Sequence, residues 1–559
     1  MKHRLSIFVS IFASLSLFAQ DINLPQGYFR HPLDLTPSFS GTFAEFRSNH
    51  FHSGLDLRIG GVVGAPVRAA AAGYVSRINI SPWGGGKVLY ITHPNGYKTV
   101  YMHLNDFTGD IARWVRDYQY EHQCYAFDQN IPEGLLPVSQ GQVVAHAGNT
   151  GSSGGPHLHY EIRIASTDET INPFRSGMKF SDPVAPTIRG IKVYPLNSDP
   201  IDVDLNPKVT PEIQVGGTCY FGIYATDVSE NSVGRNGIDR IELYVDGALF
   251  HRYQMSSFRF EHTRAINAII DYPFYSAHRQ AYLVSRRLPG DPSSFSQPQQ
   301  GDGTLFVASG TTHSVEYRVF DYKGNRSSRS FTLRGVEAPP PTDSRLQSLT
   351  PQGTAASFAE PFSYSSADFS VSLEPHTLYA DDFMLHSSCS DSRFLSPLHT
   401  FRPKLHNLPP HQTYNLRIRI PRGCSRPASQ LLIVSVSGSK IVAASTRVQD
   451  GWLSAPMRSF GSFAVTYDDQ PPKVKLSNLN KKGFLKGNLL RVRISDNLAG
   501  VDTYHCYING EWVLAEFDGK TAQLIIDGSG RWRAGNNKFR ILLTDACGNT
   551  TDLTYDIRK

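Results

Sequence analysis

The segments His52-Ser-Gly-Leu-Asp56 and His157-Leu-His159 carry imidazole and carboxylate donors of the kind that hold zinc at a hydrolytic centre. Such a centre takes three protein ligands from His and Asp or Glu and leaves one position for water. Ser53 to Ile59 alternates, with Leu55, Leu57 and Ile59 on one face and Asp56 and Arg58 on the other. Gly54 argues against a helix, so a loop histidine followed by a strand aspartate is expected. Pro156 to Ile162 alternates too. Side chains at i and i+2 of a strand point the same way, which places His157 and His159 on one face and Leu158, Tyr160 and Ile162 in the core. Two imidazoles about 7 Å apart along a strand do not readily serve one ion equally. One is expected to bind metal and the other to face substrate.

The elements around these residues read as strands. Lys87 to His103 is a hairpin about Asn95-Gly96, a strong two-residue turn signal. His93, beside that turn, reads as a solvated surface residue. Gly148 to Gly155 is followed by a strand and by no Gly-Lys-Ser/Thr, so it shapes a groove rather than cradling phosphate.

With Tyr101-Met-His103-Leu and Gly148-Asn-Thr-Gly-Ser-Ser-Gly-Gly-Pro-His157-Leu-His159-Tyr-Glu added, the region from about residue 40 to 175 resembles the lysostaphin/LytM-type zinc endopeptidases. The resemblance implies an antiparallel β-sheet groove, one zinc ion per chain, and hydrolysis of peptide bonds in peptidoglycan stems or cross-bridges. Carried over by motif, the metal ligands are His52, Asp56 and His159. His103 and His157 assist the water and the tetrahedral intermediate, in an undivided pair of roles. His50 also forms a His-x-His pair with His52, but His52 holds the motif spacing to Asp56. The chain departs from the family in an insertion over residues 105–137 that carries Trp114, Tyr118, Tyr120, Cys124, Tyr125 and Phe127. It reads as a lid or as a peripheral flap packing its own aromatics.

Met1-Lys-His-Arg-Leu followed by apolar residues to Ala19 reads as a secretory signal over 1–20, too short to span a bilayer. No later stretch is long and apolar enough to span, so export to the periplasm or the extracellular space is expected, with no transmembrane segment in the mature protein. The net charge of +6 on 559 residues is mild; it reads as surface solvation, and nucleic acid is not an expected partner. Six cysteines are too few for a disulfide scaffold. If pairs form, Cys389 with Cys424 and Cys506 with Cys547 are the natural ones.

Proline-rich joints at Asp182 to Pro186, Glu337 to Pro341 and Asp468 to Pro472 divide the chain. The expected order is a peptidase domain over 21–181, a β-sandwich module of immunoglobulin-like type over 182–336, a β-rich middle module over 344–467 and a second β-sandwich module over 470–559. The fold class is mainly β, and no long helix is expected. The two sandwich modules repeat each other: Asp227 and Gly237 to Gly247 match Asp496 and Gly500 to Gly510, and Asp321 to Asn325 matches Asp545 to Asn549. These aspartates sit beside Gly and Asn as ordinary turns do, and calcium is the alternative reading. The modules serve spacing, wall binding or docking to an envelope protein. Competing with the enzyme reading are a non-catalytic envelope protein, which binds peptidoglycan or regulates another hydrolase, and a peptidase acting on proteins.

Overall fold

The computed structural model describes residues 24–228, 236–338, 353–480 and 482–559. The expected signal over 1–20 and part of the Glu337 to Pro341 joint lie outside them. The protein is mainly β, built of antiparallel sheets.

Alternation in the two motif segments produces neighbouring strands. Leu55–Arg58 pairs antiparallel with His157–Ile164, with Asp56 directly opposite His159. The sheet continues through Tyr97–Met102, Lys87–Thr92, Gly73–Ile80 and Phe127–Asn130, and Phe39–Gly41 flanks Leu55–Arg58. Leu55, Leu57, Leu158, Tyr160 and Ile162 are buried in one core with Tyr101 and Leu104. Their opposite face carries His157, His159 and Glu161. A three-stranded sheet of Pro66–Arg68, Val143–Ala147 and Leu104–Phe107 packs against this core.

Each of the three following units is a pair of sheets closed over one core. In the unit after Asp182, Ile191, Val193 and Phe221 of one sheet meet Leu243, Val315 and Phe331 of the other. The middle unit does the same with Phe369 and Leu416 against Phe401 and Ile433. In the last, Val492 and Leu524 face Phe539 and Ile541.

The units are joined by more than their linkers. Phe43, Ala44 and Phe51, just before His52, are buried in the core of the second unit. Strand Thr170–Ile171 pairs on one side with His157–Ile164 and on the other with Ser257–Phe258 of that unit. Arg264 of the second unit donates to the carbonyls of Pro410 and Arg458 in the middle one. The Cys547 thiol of the last unit lies 3.6 Å from the Gln430 carbonyl. The last unit returns to the first: Lys87 pairs with Glu516 at 2.9 Å, and the Tyr120 and Trp512 rings meet at 5.1 Å. The four units therefore form a closed cycle of contacts.

Two expectations are corrected. The insertion contains a 13-residue helix, Gly109–Glu121, seated on Ile111, Val115 and Gln119. His93 is buried, not solvated, because Ala72 and Thr99 bond both ring nitrogens and Phe29 packs 5.5 Å away. All six cysteines are free, and neither candidate pair is joined. Among the described residues, no helix is long and apolar enough to cross a membrane.

Candidate metal centre

Strand register alone brings Asp56 and His159 face to face, and the loop before Leu55–Arg58 delivers His52 beside them. His52 Nε2 lies 3.0 Å from Asp56 Oδ1 and 2.9 Å from His159 Nδ1, and His159 Nδ1 lies 2.9 Å from the same Asp56 oxygen. All three side chains are buried. His50, by contrast, is exposed and bonds its own turn at the Ser48 carbonyl. Gly54 fits here because a Cβ would run into the Tyr160 carbonyl oxygen.

The outer shell decides which atoms face inward. The Nδ1–H of His52 donates to the Thr42 carbonyl at 2.8 Å, and the Nε2–H of His159 donates to Glu161 Oε1 at 2.8 Å. That leaves His52 Nε2, His159 Nδ1 and Asp56 Oδ1 as three converging lone-pair atoms. Lone pairs so close require a cation or an extra proton among them. In the metal-free protein, the carboxylates of Asp56 and Glu161 override the burial that opposes charge and push His159 up to about 9. Burial alone would raise Asp56, yet the surrounding histidines hold it well below the usual carboxylate range. Donors sharing one zinc at about 2 Å stand roughly 3 Å apart, as these do. The residues present fit zinc.

His103 and His157 flank this cluster, their ring centroids 4.8 Å apart. His103 takes a left-handed φ of 61° and donates its Nδ1–H to the Thr150 carbonyl at 2.9 Å. His157 donates its Nδ1–H to the Gly155 carbonyl at 2.8 Å, which leaves Nε2 3.3 Å from Asp56 Oδ1. Burial, then the neighbouring His159 and His157, lowers His103 to about 3, so at neutral pH the ring is uncharged and its Nε2 carries a lone pair. A groove of about 380 Å³ opens here, lined by Arg47, Asp56, Arg58, His103, Ser153 and His157 among others.

Residues 50–120 match peptidase family M23. The chain carries an M23 peptidase domain. Residues 354–468, the middle unit, match the Zu5-like domain. Over 160 residues the chain is 29% identical to an uncharacterized metalloprotease of Haemophilus influenzae, the match covering 28% of each protein. It is 30% identical over 152 residues to the DD-carboxypeptidase/endopeptidase Mpg of Neisseria meningitidis, covering 27% of this chain and 26% of Mpg. These matches span about a quarter of each relative. The catalytic domain of the M23 protein EnpA from Enterococcus faecalis aligns over 27% of this chain and 95% of its own, at 23% identity and a TM-score of 0.19.

Several residues of the M23 centre escape reading from the sequence. Arg47 pairs with Asp56 Oδ2 at 2.6 Å and so fixes the second carboxylate oxygen. Glu161 is fully buried between His159, Ser53 and Arg163. Its signal was available: it continues the His157, His159 face at the next strand position. Arg47 and the Thr42 carbonyl gave none, since a hairpin separates them from the motif. The last unit also reaches this domain's groove. Lys520 donates to the carbonyls of Asn149 and Ser153 in the glycine-rich wall.

Proposed function

We propose that the chain is an exported, zinc-dependent endopeptidase that hydrolyses peptide bonds in peptidoglycan stem peptides or cross-links. The observation that carries this reading is the convergence of His52, Asp56 and His159 on one point, with His103 and His157 beside it. The M23 match supports peptide hydrolysis, and a similarity of 29% identity over 148 residues to the peptidoglycan DD-endopeptidase ShyA of Vibrio cholerae supports peptidoglycan as the substrate class. The apolar stretch after Lys2 and Arg4 supports export.

In this reading His52, Asp56 and His159 hold the zinc. The chemistry it supplies is polarisation of the scissile carbonyl and acidification of water. Thr42 and Glu161 keep the two ligand imidazoles in the tautomers that face inward. Arg47 holds the second oxygen of Asp56 and so limits it to one inward oxygen. His103 presents a free Nε2 to the groove and His157 an Nε2 that lies 3.3 Å from Asp56 Oδ1, each with Nδ1 anchored on a carbonyl. One takes the proton of the attacking water, and the other hydrogen-bonds the oxyanion as it forms.

The test is to incubate purified mature protein with purified sacculi, with and without a zinc chelator, and to identify released peptides by mass spectrometry. Chelator-sensitive release of stem or cross-link fragments is expected. Sacculus binding with no release at full zinc loading overturns the enzyme and supports the non-catalytic reading.

A further inference from the structure

A second set of carboxylates lies outside the M23 domain, in the two units that repeat each other. Asp468, Asp496 and Asp545 each offer an oxygen, and these oxygens lie within 4.8 Å of one another. They come from separate segments: the joint entering the last unit, the turn after strand Leu489–Ser495, and the end of strand Asn536–Asp545. The second unit carries aspartates at the corresponding points of its chain, Asp182 at its joint, Asp227 after strand Gly217–Thr226, and Asp321 after strand Thr312–Phe320, with their oxygens spaced more widely than those of the last unit.

The correspondence is visible bond by bond. The Asn325 amide donates to the Asp182 carbonyl at 2.8 Å and to Asp321 Oδ2 at 2.7 Å. The Asn549 amide donates to the Asp468 carbonyl at 3.1 Å and to Asp545 Oδ2 at 2.8 Å. Ser327 donates to the Pro186 carbonyl and Thr551 to the Pro472 carbonyl, both at 2.5 Å. Each joint aspartate is thus brought to the turn that closes its own unit.

Turn hydrogen bonds account for most of these carboxylate oxygens but not all. Among the described residues, Oδ1 of Asp227 has no hydrogen-bond partner, although the residue is only 2% exposed. Its counterpart, Oδ1 of Asp496, is likewise shielded from solvent and without a partner. Burial, then the charges of Asp182 and Asp321, pushes the Asp227 carboxyl up to about 7. Lys323, next but one to Asp321, holds its ammonium 4.1 Å from the centre of the Phe180 ring. A shielded carboxylate oxygen without a donor is costly, and here one such oxygen recurs at the same place in both copies.

We infer that each aspartate triad, Asp182/Asp227/Asp321 and Asp468/Asp496/Asp545, binds one hard divalent cation, with calcium as the ion. Oxygen-only donors with no imidazole or thiolate select against zinc. Calcium accepts an irregular set of six to eight oxygens completed by carbonyls and water, whereas magnesium demands near-ideal octahedral geometry. Each ion ties a proline-rich joint to the body of the unit it enters and sets the angle between successive units.

The experiment uses the full-length mature protein, stripped with EGTA and titrated with calcium by calorimetry and equilibrium dialysis. About two calcium ions per chain are expected, with dissociation constants on the order of 10⁻⁵ to 10⁻³ M, together with a calcium-dependent rise in Tm. Asp496→Asn should retain one ion, and Asp227→Asn with Asp496→Asn should retain none while keeping its full zinc content. The inference is overturned if the wild type binds no calcium at about 10 mM, or if the double variant still binds two ions. Should the double variant fail to fold, hydrogen exchange on the wild type decides. Calcium-dependent protection of the Asp182 to Pro186 and Asp468 to Pro472 joints supports the sites, and unchanged exchange there overturns them.

Discussion

Glu161 accepts the Nε2–H of His159 at 2.8 Å and thereby decides that Nδ1 of that ring faces Asp56. The carboxylate lies two residues along the same strand and is itself held by Arg163 at 2.5 Å. Replacing it by Gln keeps the shape but allows the imidazole to flip or change tautomer. Glu161→Gln should bind zinc about 10- to 100-fold more weakly, the usual effect of losing such an outer partner. Competition with a fluorescent chelator measures this, and wild-type affinity would remove Glu161 from the site.

Metal binding and proton transfer should separate by mutation. His159→Ala and Asp56→Ala should lose most of their zinc, since an incomplete donor set remains. His103→Ala and His157→Ala should retain zinc and lose on the order of 10²-fold or more in rate. Zinc content by mass spectrometry beside peptide-release rates checks both halves. Zinc loss in His157→Ala with retention in His159→Ala would reverse their roles.

The approach to His52 depends on a neighbouring unit. Phe43 and Phe51 are buried in the second unit's core, and each buried Phe is worth roughly 1.5–3 kcal/mol. A chain ending at Gly177 leaves both rings uncovered. It should aggregate or hold zinc poorly, whereas one ending at Ala338 should not. Soluble yield and zinc stoichiometry of the two truncations decide, and a well-behaved, zinc-loaded short form refutes the dependence.

Acid should weaken the second unit through His251. This histidine is buried against Ser296, and burial followed by the Arg287 charge lowers it from its ordinary 6.5 to about 3. Between these values the unfolded chain binds the extra proton and the folded one does not. The stability contribution is therefore complete above pH 6.5 and is lost as pH falls toward 3, at up to about 1.4 kcal/mol per pH unit. Urea midpoints at pH 7.5 and 4.5 should converge more for His251→Gln than for the wild type. Equal acid losses in the two proteins would contradict the assignment.

What could be read in advance follows from which signals are local. His157 and His159 share a face because a strand repeats every second residue, and the burial of Leu158, Tyr160 and Ile162 follows from the same period. The Gly109–Glu121 helix was hidden because its buried stripe is Ile111, Val115 and then Gln119, whose amide is satisfied by the Tyr125 carbonyl. A glutamine in that place breaks the apolar period. His93 looked exposed beside its turn because Phe29, which covers it, lies far away in sequence. The joint aspartates read as linker residues, and only tertiary structure brings Asp468 to Asp496 and Asp545.

The contact between the last unit and the M23 domain closes a path that the chain itself leaves open. Tethering through two intervening units makes this encounter intramolecular, at an effective concentration set by their geometry and not by the amount of protein present. The Lys87–Glu516 pair and the rings of Tyr120 and Trp512 can then be weak and still nearly always engaged. Cut loose and supplied in trans at micromolar levels, the last unit would leave the glycine-rich wall without Lys520.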